Sequence, residues 1–200
     1  MKKIYSLLSC FSITTSLIAN IGPQGFGDFH QNTFIETGTF RGDAIQLALD
    51  AGFKKIRSIE YDFALCAKAR KRFRKNRNVS IFRGDSSVSL WRLIQDINEP
   101  VTFWLDAHVC PARIDGGKNC PLIEELEQIK QHPVKNHIIL IDDIHCCDTV
   151  LFDFMSREKL IDKIHEINPN YEIRYVDGGD AGEYKNNVMV AVPPGWKNKS

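Results

Sequence analysis

Short apolar runs alternate along the chain with stretches of helical period. Residues 33–37, 56–60, 79–82, 101–105 and 138–141 are brief, apolar and rich in β-branched or aromatic side chains, which predicts five strands. Between them the spacing changes to about 3.6. After Gly42, a helix is predicted from Ile45, Leu47, Ala48 and Leu49, with Asp43 as its cap and Gly52 as its stop. A second helix runs from Tyr61-Asp62 through Phe73. A third covers 87–97, where Val88, Leu90, Trp91 and Ile94 are apolar. Pro121 opens a fourth, striped by Leu122, Ile123, Leu126 and Ile129. A fifth helix is predicted over 152–167. The run 138–141 is apolar on both faces, which suits the inside of a parallel sheet. Residues 171–176 and 188–192 read as two last strands, and the glycine-rich 178–182 between them predicts an antiparallel pair. Alternation on this scale predicts an α/β fold: a doubly wound, mostly parallel sheet of seven strands, closed by the antiparallel pair.

Outside this pattern lie the two ends. Lys2-Lys3 followed by the mostly apolar 4–19 has the layout of a secretory signal, with cleavage after Ala19, or of an uncleaved membrane anchor. Residues 20–32, with Gly22, Pro23, Gly25 and Gly27, read as a linker; 33–193 form the domain and 194–200 a tail. The sequence of 200 residues suits one domain with a substantial core. A formal net charge of +1 gives no reason to expect a nucleic-acid partner. The run from Lys68 to Lys75 is strongly basic, and reads either as a solvated helix face or as a contact for phosphate or an anionic surface. Cys66, Cys110, Cys120, Cys146 and Cys147 follow the leader; in an exported protein Cys110 and Cys120 would be the pair to bridge.

Candidate chemistry gathers where the strands end. Glu36, Glu60, Asp85, Asp106 and Asp142 each terminate an apolar run. In an open parallel sheet those ends share one rim, and ligands bind there. The first is followed by Gly38 and Gly42, around Thr39 and Phe40; this side-chain-poor turn lets a ligand approach the backbone and the next helix start. Helix capping alone accounts for Asp85 but not for Glu36 or Glu60. Glu36, under the turn, could hold the loop or a ligand ammonium. Glu60 lies about 20 residues past the turn, where a carboxylate commonly takes ribose hydroxyls.

The series Glu36-x-Gly38-x-x-x-Gly42, then Glu60 with Tyr61, then Asp85 with Ser86, resembles the Rossmann-like S-adenosylmethionine-dependent methyltransferases. The resemblance spans residues 32–192 and implies that Glu60 binds the ribose and Asp85 the adenine amino group. It places Glu36, Gly38, Thr39, Phe40, Gly42, Tyr61, Ser86 and Asp106 around the same cofactor. Phe40 stands where that family's middle glycine would, and narrows the space for the methionine part. Magnesium-using small-molecule O-methyltransferases, and the related sugar methyltransferases and cephalosporin hydroxylase-like proteins, carry acids at the ends of the same later strands. By that likeness Asp106, Asp142 and Asp143 are candidate ligands for Mg2+.

His108 and His145 flank this mouth and are candidate general bases. A competing set for Zn2+ is His108, Cys110, Cys120, His145, Cys146 and Cys147, at spacings that match no standard knuckle. The expected activity is methyl transfer to an oxygen of a small-molecule acceptor. The alternatives are an exported, non-catalytic binding protein and a metal-dependent hydrolase or hydroxylase on the same acids. The leader expects export or membrane association, and the cofactor expects the cytoplasm.

Overall fold

A computed structural model describes residues 21, 23–115, 117–178 and 184–198. The leader expected over 1–19 lies outside these residues. Seven strands form one sheet: β1 (Thr33–Thr37), β2 (Lys55–Glu60), β3 (Val79–Arg83), β4 (Thr102–Leu105), β5 (Ile138–Ile141), β6 (Glu172–Gly178) and β7 (Tyr184–Val192). Their order is β3-β2-β1-β4-β5-β7-β6. The first five are parallel, and β7 runs antiparallel to both β5 and β6. This is the seven-stranded, doubly wound arrangement expected from the alternation of periods.

Helices cover both faces. Successive strand residues point to opposite sides, so Phe34 joins one core layer and Ile35 the other. The first layer is built by α1 (Pro23–Asp28), α2 (Asp43–Asp50) and α3 (Phe63–Arg72). The second is built by α4 (Ser86–Ser89), α5 (Trp91–Ile94), α6 (Leu122–Gln131) and α7 (Arg157–Ile167). Strands β4 and β5 are buried along their whole length, as a central parallel strand must be.

Four local expectations are corrected. The segment 20–32 is not a linker: it carries α1 and adds Ile21, Phe26 and Phe29 to the core. Phe26 stands edge-on to Phe34 and Trp104, with ring centroids 5.0 and 5.1 Å apart, and that packing outweighs the poor helix propensity of its glycines. The tail also packs, since the Trp196 indole donates to the Asp28 carbonyl at 3.3 Å.

The helix expected over 87–97 is two short ones. Gln128 of α6 accepts from the Trp91 backbone N–H at 2.9 Å and donates to the carbonyls of Ser86 and Ser87. A side chain inserted into the hydrogen-bond ladder divides the helix. Helix α7 begins at Arg157 rather than at 152. Asp153 and Phe154 have φ of 50° and 57°, outside the helical region, and Ser156 caps the new start by accepting from Lys159 N–H at 3.2 Å. In α2 the cap position belongs to Gly42, and Asp43 instead pairs with Arg72 at 2.6 Å.

Two buried histidines tie the second layer to the sheet. His137 Nδ1 accepts from the Val101 N–H at 3.2 Å, so its Nε2 carries the proton and donates to His132 Nδ1 at 3.1 Å. Burial first, then His132 and Lys135, push the His137 imidazole down to about 3. The native state therefore binds fewer protons than the unfolded chain between about 3 and the ordinary value of 6.5. The stabilisation is full above 6.5 and is lost as the pH falls toward 3. His137→Asn keeps an acceptor for Val101 without titrating. The stability gap between the two proteins in urea unfolding should narrow by about 1.4 kcal/mol per pH unit as the pH falls below 6. A gap that does not change with pH would remove the neutral-histidine account.

Candidate functional site

The carboxyl-terminal ends of β1, β2, β3, β4 and β5 form one rim, and the acids expected there meet at it. The loop after β1 is its fixed point. Gly38 has φ of +81°, and a Cβ there would lie 2.1 Å from the Asp106 carbonyl oxygen. Its N–H donates to the Ile59 carbonyl at 2.9 Å. The loop thus touches the ends of both neighbouring strands. Gly42 has φ of +83°, and a Cβ there would lie 2.5 Å from the Phe73 ring of α3. Both glycines are therefore required for conformation and for space.

Glu36 lies beneath this loop, only 1% exposed. Ser58 Oγ donates to it in a short hydrogen bond, and Thr39 Oγ1 bonds closely to the same Ser58 hydroxyl. Of the two expectations for Glu36, the structure carries the loop-holding one: a carboxyl this buried is not open to a ligand ammonium. Burial raises its pKa to about 8, the Ser58 bond opposes the rise, and Glu60 and Asp43 add to it.

Glu60 ends β2 facing the loop. Its Oε2 accepts from the Phe40 N–H and its Oε1 from the Asp62 N–H, each at 2.7 Å. One lone-pair direction on each oxygen is left for further donors. Phe40 adopts φ of 46°, a costly conformation for a side-chain-bearing residue, and the bond to Glu60 holds it there. Phe40 is 37% exposed, and its ring lies 5.2 Å from the Arg41 guanidinium. A cleft of about 490 Å³ opens beside Glu60, lined by Tyr61, Asp62, Phe63, Arg83, Gly84 and Asp85. Tyr61 and Phe63 are both exposed at its edge. Asp85 is exposed and accepts from Ser87 N–H and Oγ, so it does cap α4, while Ser86 is buried at the start of that helix.

The second group differs from expectation in one member. Asp106, His108 and Asp143 each bring a donor atom within 4.8 Å of the others. His108 stands between the two acids, with Nδ1 3.6 Å from Asp106 and Nε2 3.5 Å from Asp143. Asp142 does not join them. It is 2% exposed and its Oδ1 accepts from the Asp143 N–H at 2.8 Å, which holds Asp143 in a left-handed conformation with φ of 53°. Asp143 also accepts from Asn187 Nδ2 at 3.0 Å. Burial, then Asp142 and Asp143, hold the Asp106 carboxyl well above the usual range. Burial lowers the His108 imidazole, and Asp143 partly reverses this.

His145 lies at the outer edge. Its Nδ1 is 2.6 Å from Asn187 Oδ1, its ring stacks on Tyr184 at 5.7 Å, and it is more exposed than His108. Cys120 is a buried thiol outside any disulfide, so it is not bridged to Cys110. Among the described residues no cysteine joins a metal-ligating cluster, which leaves the zinc set of histidines and cysteines unsupported.

Sequence reasoning missed four contributors. Ser58 and Asn187 sit inside strands, where nothing in the pattern distinguishes them. Asp153 gathers the loop before α6, accepting from the backbone of Asn119 and Cys120 at 3.1 and 3.0 Å. Glu125 did leave a signal, because it falls on the apolar stripe of α6 between Leu122 and Leu126. It is fully buried and neither carboxyl oxygen is hydrogen-bonded among the described residues. Burial raises its pKa to about 7, tempered by the hydroxyls of Ser86 and Thr37.

No protein-family model matches the chain, and no curated protein sequence does. Solved structures match its fold. An O-methyltransferase from Bacillus cereus, in complex with S-adenosylhomocysteine, superposes with a TM-score of 0.55 at 16% identity, over 80% of this chain and 74% of that one. The S-adenosylhomocysteine-bound methyltransferase PaMTH1 of Podospora anserina gives 0.52 at 14%, over 84% and 72%. Fibrillarin of Aeropyrum pernix, with natively bound S-adenosyl-L-methionine, gives 0.56 at 12%, over 80% and 66%. The fold is thus that of the Rossmann-like S-adenosylmethionine-dependent methyltransferases.

Two outcomes follow from the loop. Gly38→Ala places a methyl group against backbone, whereas Gly52, at φ of +89°, has open space around it. Gly52→Ala should cost about 1 kcal/mol, and Gly38→Ala at least about 2 kcal/mol more, read by urea unfolding. Equal costs would show that the contact with Asp106 does not matter. Glu36 binds a proton in the native state between the ordinary 4.5 and about 8. Its contribution is full below 4.5 and declines as the pH rises to 8. The stability of Glu36→Gln relative to the parent should therefore grow by about 1.4 kcal/mol per pH unit from 5 to 7.5 and then level off.

Proposed function

We propose that the protein transfers a methyl group from S-adenosylmethionine to an oxygen of a small-molecule acceptor, assisted by a divalent cation. The loop after β1 carries this reading: Gly38 at positive φ against the end of β4 and Gly42 at positive φ against the Phe73 ring of α3 bring the Phe40 N–H onto the carboxylate of Glu60, and an open cleft starts at the next residue, Tyr61. In this reading Glu60 takes the ribose hydroxyls and the cleft takes the base. Tyr61 offers a ring face to it, and Asp85 remains accessible to the adenine amino group. The SAM- and SAH-bound neighbours support the fold this requires.

The donor set of Asp106, His108 and Asp143 fits a divalent cation, with oxygen from two carboxylates and nitrogen from one imidazole. The nitrogen suits manganese, iron or zinc better than the all-oxygen set expected for magnesium. Such a cation, when bound, supplies charge that favours the ionised form of an acceptor hydroxyl. The chain's own groups do the rest. Asn187, anchored to Asp143, orients the His145 ring, and the His145 Nε2, 3.5 Å from the Cys146 Sγ, would exchange that contact for the acceptor proton. The loop and Glu60 hold the donor for in-line attack, where alignment supplies much of the rate.

A second reading uses the same three ligands for hydrolysis or hydroxylation without a methyl donor, and the mixed donor set is what favours it. Calorimetry separates the two. S-adenosylhomocysteine should bind the parent protein, and Glu60→Ala should weaken it by about 10- to 100-fold. No binding, or an unchanged affinity in the variant, removes the methyl-transfer assignment. Asp143→Asn should abolish retention of Mn2+ in equilibrium dialysis and leave S-adenosylhomocysteine binding within about threefold of the parent. Retention of the metal by that variant would remove the cation site.

A further inference from the structure

The chain is nearly neutral overall, but its charge is divided. Eight of its 26 Lys and Arg lie in residues 63–84, which contain none of its 25 Asp and Glu. The rest of the chain therefore has 18 basic residues against 25 acidic ones. The basic stretch folds as α3 and the turn that follows it. Lys68, Arg70, Lys71, Arg72, Arg74, Lys75 and Arg77 all face solvent there, while Cys66, Ala69 and Phe73 face the core. Among the described residues only Arg72 of these pairs with a carboxylate, that of Asp43. Arg70 Nε donates to the Ile81 carbonyl at 2.8 Å and fixes the helix on the sheet edge. The ammonium groups of Lys68, Lys71 and Lys75 have no hydrogen-bond or ion-pair partner among the described residues.

We propose that this face of α3 docks the protein on an anionic lipid membrane. Two observations select a lipid surface. Flexible ammonium groups without rigid pairing suit a diffuse field of headgroups better than a fixed set of phosphates. The chain also enters the fold at Ile21 and α1, in the same helical layer as α3, directly after the apolar run 4–19 with Lys2 and Lys3 ahead of it. An apolar segment and a polybasic face are each weak alone and together hold a protein at a bilayer.

The test is co-sedimentation of the full chain with vesicles. Binding to vesicles of phosphatidylcholine with about a third phosphatidylglycerol should exceed binding to pure phosphatidylcholine by at least about tenfold at low salt. The excess should vanish near about 0.5 M salt. The combined variant Lys68→Gln, Lys71→Gln, Lys75→Gln should lose the preference and bind both vesicles as the parent binds the neutral one. Its unchanged thermal midpoint would show that the fold is intact, as expected for three exposed side chains. Equal binding of the parent to both vesicles, or a preference that survives in the variant, overturns the proposal. So does displacement of the parent from the anionic vesicles by polyuridylate at equal charge, which would identify the face as an RNA surface.

Discussion

The crossing of Gly38 over the Asp106 carbonyl, too close to admit a Cβ, fixes how far the ends of β1 and β4 can converge. Everything at the rim is placed relative to it. The same glycine donates to Ile59 and so ties β1 to β2. Because the backbone crosses there without a side chain, the next residues turn back over the sheet. Thr39 is drawn under the loop to Ser58, and the Phe40 amide is directed at Glu60. A left-handed Phe40 would be strained in a free loop. Here a charge-assisted hydrogen bond from its own amide offsets the strain.

The second constraint is electrostatic. Burial favours the protonated form of Glu36, Asp106 and Glu125, and the three lie close enough, around the ends of the central strands β1 and β4, for Glu36 and Glu125 to raise Asp106 further. Buried acids without cationic partners cost stability when they ionise. Among the described residues no arginine or lysine pairs with any of the three. Asp106 and Asp143, which stay partly exposed at the rim beside His108, suit a cationic ligand, and the proposed divalent metal is of that kind. The division of charge also gives the molecule two unlike surfaces, a basic layer at α3 and an acidic mouth at β4 and β5.

Much of the architecture was legible because burial writes itself as period. All five parallel strands ended where an acid or glycine interrupted an apolar run, and the antiparallel pair followed from the glycine-rich segment between its strands. The failures have one cause, which is that tertiary contacts overrode local signals. Gly25 and Gly27 argue against a helix, yet Phe26 packed on Trp104 makes one. The serines and Leu90 to Ile94 look continuous until Gln128, far along the chain, divides them. At the site, the acids were legible from position alone, but their orientations were not. Asp142 and Asp143 are equivalent in sequence, and only the left-handed turn between them sends one inward and the other toward His108. Asn187 could not have been found from the pattern, since it acts across 44 residues on Asp143.

The proposed function depends above all on an adenosine being held at the ends of β1, β2 and β3. A crystal structure of the protein soaked with S-adenosylhomocysteine tests it directly. The account predicts the ribose hydroxyls on the Glu60 carboxylate, the base in the cleft beside Tyr61 and Asp85, and the amino-acid portion over the turn at Gly38. Adenosine density elsewhere on the molecule, or a rim still filled by its own side chains at saturating ligand, would contradict it.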